Sequence, residues 1–482
     1  MLVINYKSQI SVLLTSGKSS SYRSSMGFDQ HIEQVYAHLK GNLKCRPRDK
    51  EWRVAQLKAL RRLLQENDEA LCAAMWKDLR KSRFECVATE QGIVLSEIEH
   101  ALRNLNSWMK PQSVRTPLYN QPGICEIRHE PLGLVLIIGA WNYPINLLLA
   151  PMVGAIAAGN AILLKPSELS QHTTQLLVQL LPQYMDSDLI AIIEAGPAET
   201  SILLNFSFDL VFFTGSGAIG KIVMSKSAQN LTPVVLELGG KSPALVLADA
   251  DIEVAARRIA WGKFMNAGQT CVAPDYILVQ PSVKQQLVSE IKKCLHQFYG
   301  AAPQRSLDYC RIINQKNYDR LISFLVGEKI LAGGGADADD LYIEPTLIEG
   351  QWNSLVMQEE IFGPILPIIE VGEIEKMISL VNGKPKPLSL YLFTRDRSHQ
   401  ELVLQGTSSG GVSVNDVVMH MPVPGLPFGG VGASGMGHYH GEFSFKTFSH
   451  AKGILRKSTW MDIPIRYAPY SIRNIKILRW LF

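Results

Sequence analysis

Long apolar runs are missing from this chain of 482 residues. None reaches the roughly 20 residues that a membrane-crossing helix needs. Blocks of like charge are missing too. The formal net charge of +4 is mild and gives no case for nucleic acid. Cysteine is scarce and scattered, at Cys45, Cys72, Cys86, Cys125, Cys271, Cys294 and Cys310. The number is odd, and no CxxC pair or Cys/His cluster has metal spacing, so free thiols in a reducing compartment are the simplest reading. What remains is an ordinary globular composition, long enough for two or three domains.

The ends differ from the middle. Residues 1–27 hold many serines and no acid, with Lys7, Lys18 and Arg23 as the basic groups. A targeting segment has that composition. The absence of a compact apolar core points instead to a disordered extension, or to Met26 as the true start. At the other end, residues 466–482 combine Arg473, Lys476 and Arg479 with Ile472, Ile475, Ile477, Leu478, Trp480, Leu481 and Phe482. Such a basic amphipathic tail suits a membrane surface as well as packing on the protein itself or on a partner subunit.

Between them, two stretches carry chemistry. Met265-Asn266-Ala267-Gly268-Gln269-Thr270-Cys271 presents a thiol after a glycine turn, following the helical pattern Ile252 to Phe264. Leu236-Glu237-Leu238-Gly239-Gly240-Lys241 presents a carboxylate at the end of an apolar strand. A lone cysteine is more often a small buried hydrophobe, and a glutamate before two glycines is more often a solvated turn residue. Together they suggest covalent thiol catalysis assisted by a carboxylate.

The surrounding pattern is α/β. Residues 29–109 read as amphipathic helices. Leu132 to Trp141 reads as a strand buried on both faces, which places Asn142 at its carboxyl end, where open α/β sheets put their sites. Its amide can donate to an oxyanion, or it is simply a turn asparagine. A second strand, Ala161 to Leu164, ends at Lys165-Pro166-Ser167-Glu168. Lys165 and Glu168 can hold phosphate and ribose, or merely start a helix. A third, Phe208 to Phe213, runs into Gly215, Ser216, Gly217, Ala218, Ile219 and Gly220, a G-x-G-x-x-G match in strand–turn–helix context. No acidic residue stands at the expected distance beyond it. Gly333 to Asp340 reads as a solvated acidic loop, since its spacing does not fit an EF-hand.

These motifs, from about Arg46 to about Tyr470, resemble the aldehyde dehydrogenase superfamily. Val414 to His420 and Arg466 to Tyr470 resemble its class 3 branch of fatty and aromatic aldehyde dehydrogenases. The resemblance implies a variant Rossmann NAD(P)-binding domain at 28–238, with 113–131 contributing to a small β oligomerisation element. It implies a second α/β catalytic domain at 239–440 and a return segment to the partner subunit at 441–465. Cys271 is then the nucleophile, Asn142 an oxyanion donor and Glu237 the general base. NAD or NADP is implied as cofactor, held by Trp141, Lys165, Glu168, Gly215, Ser216, Gly217, Ala218, Ile219, Gly220, Glu360 and Phe362. Glu168 at a ribose position leans toward NAD. The implied substrate is a long-chain aliphatic, aromatic or apocarotenal-like aldehyde, and the implied assembly a homodimer. A cytoplasmic setting is expected, with peripheral membrane contact through residues 466–482 standing open beside packing of the tail on the protein. Three other readings compete. A CoA-acylating semialdehyde dehydrogenase is disfavoured by the presence of Glu237. A non-catalytic NAD-binding member is disfavoured by the intact Cys271, Glu237 and Asn142. A thiol protease or esterase lacks a stretch that would supply its histidine.

Overall fold

The computed structural model describes residues 27–462 and 464–481; the expected N-terminal extension, apart from Gly27, and Phe482 lie outside the described residues. The chain starts with helices Phe28–Asn42, Lys50–Glu66, Asp68–Leu79 and Gly92–Trp108. The second begins at Asp49, whose side chain accepts from Trp52 N at 2.9 Å, an ordinary N-cap. Its apolar residues recur on one face, so Leu57, Leu60, Leu63 and Leu64 are all fully buried.

A six-stranded sheet follows. Its centre is Leu134–Ile138, flanked on one side by Ala161–Lys165 and Ile190–Ile192, and on the other by Leu210–Thr214 and Val234–Glu237, all parallel. The chain fills one side and then crosses to the other, so Leu134–Ile138 is the topological switch point. Its carboxyl edge is where such sheets bind ligands. Every residue of the three innermost strands is buried, which explains why they are apolar except at the terminal Lys165 and Thr214. Helix Asn146–Ala158 lies buried over its whole length beside them.

The sixth strand brings the chain back to the first sheet late in the sequence. Gly435–Met436 pairs antiparallel with Leu236–Glu237. Gly435 has φ 137°, and a side chain there would strike the Leu236 carbonyl, which is why glycine makes this crossing.

A second sheet of seven strands runs in the order 329–332, 346–349, 365–370, 276–279, 243–246, 389–393 and 411–414. All its pairings are parallel except that of Lys329–Ala332 with its neighbour. A third, antiparallel sheet holds Gln112–Val114, Gly123–Pro131 and Ser449–Lys457. The last two pair continuously from Ser449 opposite Pro131 to Lys457 opposite Gly123. Thus the segments 113–131 and 441–465 meet, joined across more than 300 residues of chain.

The tail helix Ile472–Leu481 leaves Ile472, Ile475 and Ile477 exposed. No helix among the described residues is long and apolar enough to cross a membrane. The acidic loop near residue 337 is answered by protein donors: Asp340 accepts from Arg311 at 2.7 Å and from Gln304 at 3.2 Å.

Candidate active site

Three strand exits of the first sheet carry Asn142, Lys165 and Glu237, and the turn carrying Cys271 comes from the second domain to meet them. Helix Ile252–Phe264 ends just before that turn. Asn266 and Ala267 then take left-handed conformations, φ 52° and 51°, which non-glycine residues rarely adopt. Gly268 follows at φ 75°, where a side chain would strike the Gly363 backbone. Cys271 emerges half-buried, behind fully enclosed Gln269 and nearly enclosed Thr270.

The meeting is fastened by hydrogen bonds. Asn142 Nδ2 donates to the Gln269 carbonyl at 3.0 Å, which leaves its second amide hydrogen free. Tyr143 Oη and Thr270 Oγ1 are 2.7 Å apart. Gln269 Nε2 donates to the carbonyls of Asn266 and Arg311, and its Oε1 accepts from Ile313 N. The thiol is therefore presented from a locked turn beside a strand-end amide.

Glu237 is almost fully buried, and neither carboxylate oxygen has a hydrogen-bond partner. Burial alone pushes its carboxyl well above the usual range. The Cys271 thiol is pushed up to about 12, first by burial and then by the nearby Glu360 and Glu237 carboxylates. A thiol so held needs a base before it can attack. Glu360 is itself raised to about 8, by burial and by Asp275. Two carboxyls thus act on one thiol, and the raised pKa of each suits it to proton transfer.

The expected cofactor residues fall into three groups along the same edge. Lys165 Nζ and Glu168 Oε2 lie 2.7 Å apart just beyond the second strand. Gly215 to Gly220 form the turn into helix Gly217–Ala228, with Ser216 capping it through Ile219 N at 3.5 Å. Gly215 N donates to the Glu237 carbonyl at 3.0 Å, tying this turn to the carboxylate strand. Trp141 and Phe362 meet edge to face, with ring centroids 5.4 Å apart.

This edge fits a phosphate-bearing dinucleotide. A side chain at Gly217 would meet nothing within 4 Å, so the packing of the chain itself does not require glycine there; a ligand approaching the backbone would. By contrast, Gly220 is needed for packing, because a side chain there would press on Leu238. Lys165 supplies a cation, and the exposed Ile219 and Ile222 supply an apolar surface for a base.

Several supporting residues escaped the reading of the sequence. Lys241 Nζ sits 2.5 Å from Asp275, whose other oxygen accepts from Ile361 N at 3.0 Å, so the pair positions the Glu360–Phe362 segment. Lys81 and Glu90, far upstream, form a fully enclosed ion pair at 2.5 Å beneath Asn142. Lys241 had a visible signal, since it adjoins the Glu237 stretch. Lys81 and Glu90 had none, being two charges among many on a helical pattern.

Known proteins resemble the whole arrangement. A family model described as the aldehyde dehydrogenase family matches residues 29–454. The mouse protein named aldehyde dehydrogenase, dimeric NADP-preferring, is 50% identical over 409 residues, 85% of this chain and 90% of its own. The human aldehyde dehydrogenase family 3 member B1 is 49% identical over 436 residues, 90% of this chain and 93% of its own. Among solved structures, the substrate-bound state of Staphylococcus aureus AldH superposes with a TM-score of 0.91 at 45% identity, covering 94% of this chain and 99% of that one.

Proposed function

This chain belongs to the aldehyde dehydrogenase family, and from that premise we propose how its residues oxidise an aldehyde to the acid and which aldehydes they take. The observation that carries the reading is the convergence of Cys271, Asn142 and Glu237 from separate elements on one spot.

Cys271 loses its proton to a neighbouring carboxylate and its sulfur attacks the aldehyde carbon. The oxygen of the resulting thiohemiacetal lies between the free Asn142 amide hydrogen and the Cys271 backbone N–H. Removing one such donor costs about 3–4 kcal/mol of transition-state stabilisation. NAD or NADP, when bound, supplies the hydride acceptor. Lys165, Glu168, Gly215 to Gly220 and Glu360 hold the cofactor, with Trp141 and Phe362 packed against one another beside it. Glu237 then takes a proton from water, which hydrolyses the thioester on Cys271 and releases the carboxylic acid. Burial raises the Glu237 carboxyl above the usual range, the direction a general base requires.

The substrates are long-chain aliphatic or aromatic aldehydes. Tyr391 donates to the Val272 carbonyl, and His420 lies against the Tyr391 ring. The segment around His420 leaves Met419, Val423 and Leu426 exposed, an apolar surface suited to a hydrophobic chain. Two copies pair through the sheet containing Gly123–Pro131 and Ser449–Lys457, in keeping with relatives named dimeric. The seven free cysteines suit a reducing, cytoplasmic setting.

The test is NADH and NADPH formation with aldehydes from short aliphatic to long-chain, aromatic and polyene, beside Cys271→Ala. Activity rising with chain length and abolished in the variant is expected. Turnover only after adding CoA would move the chain to the acylating class, and a preference for short polar aldehydes would overturn the substrate reading. The exposed Ile472, Ile475 and Ile477 beside Arg473, Lys476 and Arg479 favour a further role for the tail at an anionic membrane surface. Deleting residues 472–482 should abolish pelleting with anionic liposomes; unchanged pelleting sinks that role.

A further inference from the structure

The carbonyl of Asn142 is held from two sides. Lys81 Nζ and Asn266 Nδ2 each donate to it at 2.9 Å. Both donors are fully enclosed. Lys81 sits between Glu90 at 2.5 Å and the Tyr143 ring, whose centroid is 4.0 Å from its nitrogen. The other Glu90 oxygen accepts from Ile145 N and Asn146 N, both at 3.0 Å, where helix Asn146–Ala158 begins. One ion pair therefore ties the Asn142 turn at its carbonyl and again three residues further on.

Asn266 completes the bracket. Its Nδ2 also reaches the Gln269 carbonyl at 3.2 Å, the same oxygen that receives the Asn142 amide. Asn266 thus links the turn bearing the oxyanion donor to the turn bearing the nucleophile. Its own backbone is left-handed, and Glu85 accepts from its N–H at 3.1 Å. Residues stay in such conformations only where their surroundings impose them. A fully buried ion pair is likewise a poor stabiliser, because desolvation offsets its attraction. Neither feature is explained by packing alone.

We propose that Lys81 and Asn266 are positioning residues for the oxidation: by clamping the Asn142 carbonyl they set where its side-chain N–H lies relative to Cys271. The proposal rests on the reading of Asn142 as an oxyanion donor. Neither residue touches the substrate. Their effect passes through a dihedral, since a carbonyl fixed on one side of Asn142 limits the arc its amide can sweep. A misplacement of about 1 Å at such a group costs on the order of a hundredfold in rate.

The experiment uses the full chain with NADP and hexanal, and reads the rate of the first NADPH turnover, the KM for NADP, and alkylation of Cys271 by iodoacetamide. The variants are Asn266→Ala, Lys81→Met combined with Glu90→Gln, Asn142→Ala, and each of the first two combined with Asn142→Ala. Lys81→Met alone would strand the Glu90 charge and can fail to fold; the paired substitution and Asn266→Ala avoid that. Each positioning variant should slow the first turnover about ten- to a hundredfold. The KM for NADP and the alkylation rate should stay near wild type. Combined with Asn142→Ala, neither should slow the reaction beyond Asn142→Ala alone, because both act through that amide. Additive losses, or a normal first turnover where Asn142→Ala is slow, overturn the proposal. A normal first turnover in Asn142→Ala itself overturns the oxyanion reading instead.

Discussion

Asn142 donates its side-chain amide to the backbone carbonyl of Gln269 across 3.0 Å, although 127 residues of chain separate them. The bond joins the switch-point strand of one sheet to the nucleophile turn of the other. It makes the relative placement of the two domains part of the catalytic geometry, and the consequences can be measured.

Glu237 gives a stability prediction. Burial raises its folded-state pKa well above the unfolded value of about 4.3. Below that unfolded value both states hold the proton and no penalty arises. As pH rises above it, the unfolded state ionises while the folded carboxyl keeps its proton, so stability falls until the folded pKa is passed. Glu237→Gln removes this penalty. The variant should melt above wild type at pH 8, and the gap should shrink as pH is lowered toward 5. A gap that is constant or widens on acidification would show that Glu237 is not held neutral.

The same carboxyl predicts the pH profile of turnover. Its base form grows as pH rises, and the thiol at about 12 is also activated only by proton loss. Turnover should therefore climb as pH is raised above neutrality. In Glu237→Gln, acid release should stall, with an acyl adduct on Cys271 detectable in the intact mass. A flat profile with no adduct would remove Glu237 from the hydrolytic step.

Gly239 lies under the Glu360 carboxylate, and a side chain there would fall inside it. The conservative-looking Gly239→Ala must displace the Glu360 carboxylate, the far end of a flexible side chain that can swing aside at little cost in stability. If Glu360 holds the cofactor, the KM for NADP should rise roughly tenfold while the melting temperature moves little. An unchanged KM would place Glu360 outside the cofactor contacts.

Glu168 bears on the choice between NAD and NADP. Its carboxylate already accepts from Lys165 at 2.7 Å. The negative charge disfavours the extra phosphate of NADP, and the lysine partly offsets it. Glu168→Gln should shift the ratio of kcat/KM values toward NADP by about tenfold, a change near 1.4 kcal/mol. A shift toward NAD would mean that Glu168 does not face the ribose.

By itself, the sequence determined the contiguous parts. The strands Leu134–Ile138, Ala161–Lys165 and Leu210–Thr214 are legible because a strand buried on both faces is apolar on both, here up to the terminal Lys165 and Thr214 at the site edge. Cys271 and Glu237 are legible because their turns need particular neighbours in the chain, as Gly268 and Gly239 show. The tertiary structure alone decided what spans long separations. The antiparallel return of Gly435–Met436 onto Glu237 depends on backbone hydrogen bonds, and Gly435, which permits the close crossing, does not tell from the sequence which strand it will meet. The Lys81–Glu90 pair, and Asn266 bridging Asn142 to Gln269, depend on three distant segments arriving together. Charges and amides have meaning there only once burial removes water as their alternative partner, and burial is a property of the folded whole.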